Sequence, residues 1–348
     1  MPQTILITGA TGHIGFRTLL QSLQAGYNVK VAIRRPEQEK QIRKAPSMQP
    51  YLANVTFITI PDMTAPQAYD SAAQDCTYII HVASPIPMKQ NTQQATASGK
   101  SWKEVYYDPA VEGTLNILKA ASHSGTVKRV VITSSGAVLA SLSNPTAGAT
   151  EIRSCPTMEQ AEAVTDAYQA YNMSKILAIS AANEYMKEAR RGFGIVHVCP
   201  GYVQGSHELC ENLDDLMRTT SRATVDVAKG VKLGAPPAAP HVSCAIWVED
   251  VARAHVVALG SGKVKDGDVL VLVGNDGKGW EWSEVGRHMR ELFPKEVEGG
   301  VLKPLVEQES MKLNFDSRST AEKLGWDFAG PEVWAREVVA QYLQQERK

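Results

Sequence analysis

The stretch that most constrains this chain comes first: "TILITGATGHIG", residues 4–15. A short β-rich apolar run, Thr4 to Thr8, leads into Gly9, Gly12 and Gly15, and a helical pattern follows from His13. Strand, glycine-rich turn and helix in that order suit a dinucleotide. The first glycine permits a tight turn, the second lets backbone approach a pyrophosphate, and the third lets helix and strand pack closely. The helix N-terminus then aims its free N–H groups and positive dipole end at phosphate. Thr11, His13 and Ile14 share this turn and join the glycines as candidate nucleotide contacts.

The pattern continues. "NVKVAI" (28–33), "NVTFITI" (54–60), "CTYIIHVAS" (76–84), "VKRVVITSS" (127–135) and "GIVHVCP" (194–200) read as further strands. Helical patterns separate them: a polar one in "RPEQEKQIRKA", others near 64–74 and 102–123, and a long one over 166–191. Such alternation predicts an α/β fold, a Rossmann-type doubly wound parallel sheet covered on both faces. Residues 1–200 form the expected nucleotide domain, with a strand–helix in 242–260 returning to the main sheet. Residues 201–241 and 261–348 form the expected smaller C-terminal substrate-binding lobe, ending in an amphipathic helix near 331–346. "GAPPAAPH" (234–241) reads as a proline-rich turn, and 87–102 as a long polar loop, a lid or an insert.

Composition excludes several classes. The formal charge of −1 offers nucleic acid no basic surplus. The N-terminus lacks a basic segment ahead of its apolar run, and no run reaches the roughly 20 apolar residues of a membrane helix. A cytoplasmic protein without membrane partners, monomer or homodimer, is the expectation. Five cysteines without a CxxC pair predict isolated thiols, not a disulfide framework or a metal site.

The end of the second strand decides between nicotinamide cofactors. An acidic residue there suits the adenosine ribose hydroxyls, whereas arginine suits a 2′-phosphate. Here the strand ends "IRRPEQEK", so Arg34 favours NADPH, with Lys40 adding charge one helical turn on. For chemistry, "DAYQAYNMSK" holds Tyr171 four residues before Lys175, neighbours on a helix face. A free tyrosine, with a pKa of about 10, is a poor proton shuttle at neutral pH, and a nearby ammonium lowers that value. So tuned, it can protonate a carbonyl oxygen as hydride reaches the carbon. Ser134 and Ser135, ending the fifth strand, are both placed to orient that oxygen.

Together, "TGATGHIG", "RVVITSS", "YNMSK" and "VCPGYVQG" resemble the extended short-chain dehydrogenase/reductases. "HVASP", "PAVEGTLNILKAA" and "WVEDVARAH" are similar to the branch of dihydroflavonol reductases and fungal aldehyde/ketone reductases. The resemblance implies a seven-stranded Rossmann sheet and an NADPH-dependent carbonyl reductase acting on a small lipophilic molecule. It implies Ser135, Tyr171 and Lys175 as catalytic residues, Tyr171 and Lys175 also facing the cofactor, and Arg34 on the 2′-phosphate. It further implies Asp62 and Met63 beside adenine, Ala83 and Ser84 beside the nicotinamide ribose, and Pro200 and Val203 beneath the nicotinamide ring. One departure is Ala140, where dihydroflavonol reductases carry an asparagine that holds flavonoid hydroxyls. A nucleotide-sugar epimerase or dehydratase with tightly bound NAD, and a dinucleotide-binding protein without turnover, are the two alternatives.

Overall fold

The computed structural model describes residues 2–86, 99–139, 152–188, 192–234 and 241–347. The proline-rich stretch, Ala140 and most of the 87–102 loop therefore lie outside the described residues. Strands β1 (Thr4–Thr8), β2 (Asn28–Ile33), β3 (Val55–Thr59), β4 (Tyr78–His81), β5 (Arg129–Thr133) and β6 (Gly194–Pro200) fall within the expected runs. The interior strands β4 and β6 are buried at every residue, as continuous apolar strands of a parallel sheet are. At the sheet's flank, β2 alternates between half-buried and buried positions.

The helix His13–Gln24 buries Phe16, Leu19, Leu20 and Leu23, an i, i+3, i+4, i+7 stripe. It stops at Gly26, whose φ of +88° lets the chain turn back toward β2. The helix Asp108–Ser124 follows a π-helical turn, Lys103–Tyr107, whose buried tyrosines Tyr106 and Tyr107 take Met173 and Leu177 of the long helix against them. That helix, Ala167–Lys187, starts on Asp166, whose carboxylate accepts from the N–H groups of Tyr168 and Gln169.

The main sheet has seven strands, in the order β10-β6-β5-β4-β1-β2-β3, flanked by helices. Here β10 is Val269–Leu272, a strand the alternation did not predict. It runs beside β6, with His197 N–H donating to Asp268 O and Gly201 N–H to Leu272 O, both at 2.9 Å. This corrects the expectation that the strand of 242–260 rejoins the sheet. That strand, β9 (Ala245–Trp247), instead pairs with β7 (Tyr202–Gln204) in a separate parallel ladder. The reason is geometric: β10 already occupies the backbone edge of β6.

The strand order reverses between β1 and β4, where ligands bind at the carboxyl edge of such a sheet. The register aligns Thr8 with His81 and Thr133 with Val198. The glycine turn after β1 and Ala83–Ser84 after β4 thus flank the switch point.

The described residues form two compact units, one within 1–139, 151–199 and 254–269, the other within 200–253 and 270–348. The second has its own core, in which Trp282, Met289, Trp334, Val338 and Tyr342 pack together. Its last helix, Pro331–Glu346, matches the amphipathic pattern. Among the described residues no helix is long and apolar enough to cross a membrane.

Candidate active site

The glycine turn has the geometry its spacing predicts. Gly9 adopts φ +74°, and a Cβ there would lie 2.7 Å from Ala83 N. A Cβ on Gly15 would lie 2.1 Å from Gly9 O, so helix and turn touch through backbone alone. Gly12 differs: it is exposed, caps the helix without any side-chain bond, and its Cβ would meet only Gly9 O, at 3.4 Å. No acidic residue occupies the first helical turn. Open space at the second glycine, next to uncapped N–H groups and no opposing charge, fits a pyrophosphate. His13 and Ile14, half-buried, begin the helix.

Gln38, which sequence reading passed over, ties this turn to the end of β2. Its Oε1 accepts from the N–H groups of Arg34 (2.7 Å) and Arg35 (3.1 Å), and its Nε2 donates to Thr11 Oγ1 at 3.0 Å. Arg34 is exposed. Asp62 accepts from the hydroxyl and N–H of Thr64, which hold its carboxyl below the usual range, and the nearby Arg34 charge adds to this. Arg34 and Asp62 thus face one region, where the sequence placed the adenosine end. Met63 packs against Gly113, and Asn116 Nδ2 donates to Met63 O at 3.0 Å. Lys40 is exposed on the helix Glu37–Lys44.

Ser135, Tyr171 and Lys175 come together at the carboxyl end of β5. Ser135 ends its strand extended and caps a short turn, its Oγ accepting from Ala137 N–H at 3.2 Å. The Ser135 side chain lies close enough to Tyr171 to act on its hydroxyl and lower its pKa. Lys175 Nζ lies 5.8 Å from the centre of the Tyr171 ring and donates to Thr133 O at 3.4 Å. The neighbouring Ser134 hydroxyl acts instead on the buried Cys199 thiol, whose pKa it and the Ser135 N–H lower against the larger effect of burial. Of the two serines open to the role, geometry puts only Ser135 on Tyr171. Tyr168 is 45 % exposed, its ring tilted beside that of Tyr171.

One electrostatic expectation is reversed. Burial raises the Tyr171 pKa, and the Ser135 hydrogen bond offsets this only in part. Lys175 is not among the groups that shift Tyr171, and burial pushes its own ammonium down to about 8. Behind it lies a cavity of about 20 Å³, lined by His81, Ala83, Ser84, Thr133, Ser134 and His197, among others. Thr8 Oγ1 binds His81 Nδ1 at 2.9 Å and accepts from Ala83 N–H at 3.2 Å, which fixes the Ala83–Ser84 turn. Pro200 closes β6 and Val203 is buried in β7, opposite Ile246; both belong to the second unit.

The family model for the NAD dependent epimerase/dehydratase family matches residues 5–273. Ketoreductase CTB6 of Cercospora beticola is 33 % identical, the match covering 98 % of this chain and 95 % of that protein. Ketoreductase sphI of Aspergillus fumigatus is 30 % identical, over 98 % of this chain and 97 % of its own. Among solved structures, yeast methylglyoxal/isovaleraldehyde reductase Gre2 complexed with NADPH superimposes with a TM-score of 0.83 at 22 % identity, covering 99 % of each chain.

Proposed function

The chain belongs to the NAD dependent epimerase/dehydratase family and is an NAD(P)H-dependent oxidoreductase, and we propose that it reduces the ketone or aldehyde of a small lipophilic molecule with NADPH. The observation that carries this is the convergence of three side chains: Ser135 acts on Tyr171, and Lys175, one turn further along the helix, holds its Nζ 5.8 Å from the Tyr171 ring. The nucleotide's phosphates are assigned to the Gly9, Gly12 and Gly15 turn, with Thr11, His13 and Ile14. Its adenosine end is assigned to Arg34, Lys40, Asp62 and Met63, and its nicotinamide end to Ala83, Ser84 and Lys175. NADPH bound there supplies the hydride of the reduction.

The protein's own residues do the rest. Ser135 and Tyr171 hydrogen-bond the substrate's carbonyl oxygen and draw charge toward it. Tyr171 then gives that oxygen its proton. A buried phenol with a raised pKa is fully protonated at neutral pH, the correct state for a donor. The phenolate left behind is met by the Ser135 hydroxyl and the Lys175 ammonium. The ketoreductase relatives support a ketone as substrate; polyketide or phenolic character is our further assignment.

A panel of ketones and aldehydes, offered with NADPH and NADH and followed at the nicotinamide absorbance, tests this reading. Turnover of several ketones with NADPH is expected. No turnover of any carbonyl, together with NAD held tightly through purification, would instead favour the epimerase alternative. Arg34 carries the nucleotide choice. A charge-assisted pair is worth about 1.5–3 kcal/mol. Arg34→Ala should therefore cut the NADPH-over-NADH ratio of kcat/KM by about 10- to 100-fold, chiefly through the KM for NADPH. An unchanged ratio would remove Arg34 from the 2′-phosphate.

A further inference from the structure

The turn that follows Ser135 is held at its far end by a side chain outside the catalytic group. Gly136–Val138 is a single 3₁₀ turn. Val138 N–H donates to Ser135 O at 3.1 Å, and Leu139 N–H to Gly136 O at 3.0 Å. A turn this short leaves its last carbonyls, those of Ala137 and Val138, without partners of its own. Arg153 supplies both. Its N–H donates to Val138 O at 2.8 Å, and its guanidinium Nη1 donates to Ala137 O at 3.4 Å. A basic side chain suits the carbonyl end of a helical turn.

The same turn sets the Ser135 hydroxyl. Its Oγ accepts from Ala137 N–H at 3.2 Å. A serine hydroxyl has one donor and two acceptor sites. With one acceptor site taken by Ala137, the rest is left for Tyr171, on which Ser135 acts, and for a substrate oxygen. Little else fixes the turn. Gly136 has no side chain, Ala137 is half-buried and offers only a methyl, and Val138 alone buries a sizeable group. Ala137 thus carries both bonds: its N–H holds Ser135 Oγ, and its carbonyl is held by Arg153.

We propose that Arg153 is a positioning residue for the Ser135 hydroxyl, acting through Ala137. The guanidinium pins the Ala137 carbonyl, which keeps the Ala137 N–H on Ser135 Oγ. That bond fixes the direction in which the hydroxyl presents its proton. Arg153 itself touches neither substrate nor nucleotide.

This rests on Ser135 as a partner of the substrate's carbonyl oxygen, so the test pairs Arg153→Met with Ser135→Ala. Methionine keeps an apolar stem and has no donor. The backbone N–H of residue 153 still reaches Val138 O, so Tm should fall by no more than about 4 °C. With the best ketone of the panel, Arg153→Met should lower kcat about tenfold, the low end for loss of a charge-assisted hydrogen bond. The KM for NADPH should stay within about twofold. In a Ser135→Ala background the same substitution should change kcat by less than about twofold, because the hydroxyl it positions is gone. Arg153→Lys, which can present one N–H to Ala137 O, should recover most of the loss.

A merely structural role lowers turnover equally in both backgrounds, and that additivity overturns the proposal. So does near-wild-type kcat in Arg153→Met. Wild-type turnover in Ser135→Ala is a different failure: it removes Ser135 from the proposed function, and Arg153 with it. A second readout needs no turnover. In crystal structures, Ser135 Oγ should hold the Ala137 N–H in the wild type and leave it in Arg153→Met. An Oγ that keeps this bond in the variant overturns the proposal even where no carbonyl is reduced. If the variant does not fold, the wild-type crystal decides: a guanidinium on Ala137 O sustains the proposal, and one turned away from it overturns it.

Discussion

Replacing Tyr171 with phenylalanine should lower kcat by at least about 10²-fold, the low end for loss of a general acid. Nucleotide affinity should stay within about twofold of wild type. The ring is retained, so its packing beside Lys175 survives, and only the hydroxyl on which Ser135 acts is lost. Turnover with the best ketone of the panel and a fluorescence titration with NADPH measure the two quantities. Tyr168→Phe is the control: with its ring 45 % exposed, it should keep turnover within about twofold. If both variants behave alike, the four-residue spacing to Lys175 has no catalytic meaning. Near-wild-type turnover in Tyr171→Phe would assign the proton to another group.

Much of this was legible because the signals were local. The runs "TILIT" and "GIVHVCP" became β1 and β6 to the residue, since apolar stretches between turn residues leave the backbone few options. The glycine turn was legible for the same reason: a φ of +74° at Gly9 and a 2.1 Å approach at Gly15 admit no other residue. What failed depended on distant partners. The short strand "VLVL" carries no following helix to mark it, and without it the edge of β6 looked free for β9. The expected helix near 64–74 shrinks to Asp70–Ala73, because Asp62 turns the chain through Thr64 and Gln67 takes a φ of +60°.

The site shows the same division. Spacing brought Tyr171 and Lys175 to one helix face, but not the direction of the tyrosine's pKa, which burial decides. Strand position left Ser134 and Ser135 as equals and only the resemblance implied Ser135; their different neighbours, Cys199 and Tyr171, distinguish them. Cys199 was read only as an isolated thiol and His197 not at all, because a residue inside an apolar strand gives no sign of what it faces. Gln38 sits in a run of charges, where a bond to Thr11, 27 residues earlier, leaves no trace in the pattern.

Two alanines in the glycine turn should produce opposite kinds of damage. In Gly15→Ala the new methyl would stand 2.1 Å from Gly9 O and 2.7 Å from Gly9 C, and both obstacles are backbone. Relief requires the helix His13–Gln24 to move off β1, which carries the buried Ile5, Leu6 and Ile7. Overpacking of this kind costs about 3 kcal/mol or more, a fall in Tm of about 10 °C, or no soluble protein at all. Gly12→Ala meets no such wall: its φ of −83° and ψ of 167° suit alanine, and its single neighbour lies at 3.4 Å. The loss there is the poorer helix cap, at most about 1 kcal/mol. Its methyl would, however, occupy the space through which backbone is assigned to approach the pyrophosphate. NADPH affinity should therefore fall about tenfold or more in a protein of nearly wild-type Tm, as read by calorimetric titration and thermal melting. A Gly12→Ala variant that binds NADPH normally would move the phosphates away from this turn, whatever Gly15→Ala does to the fold.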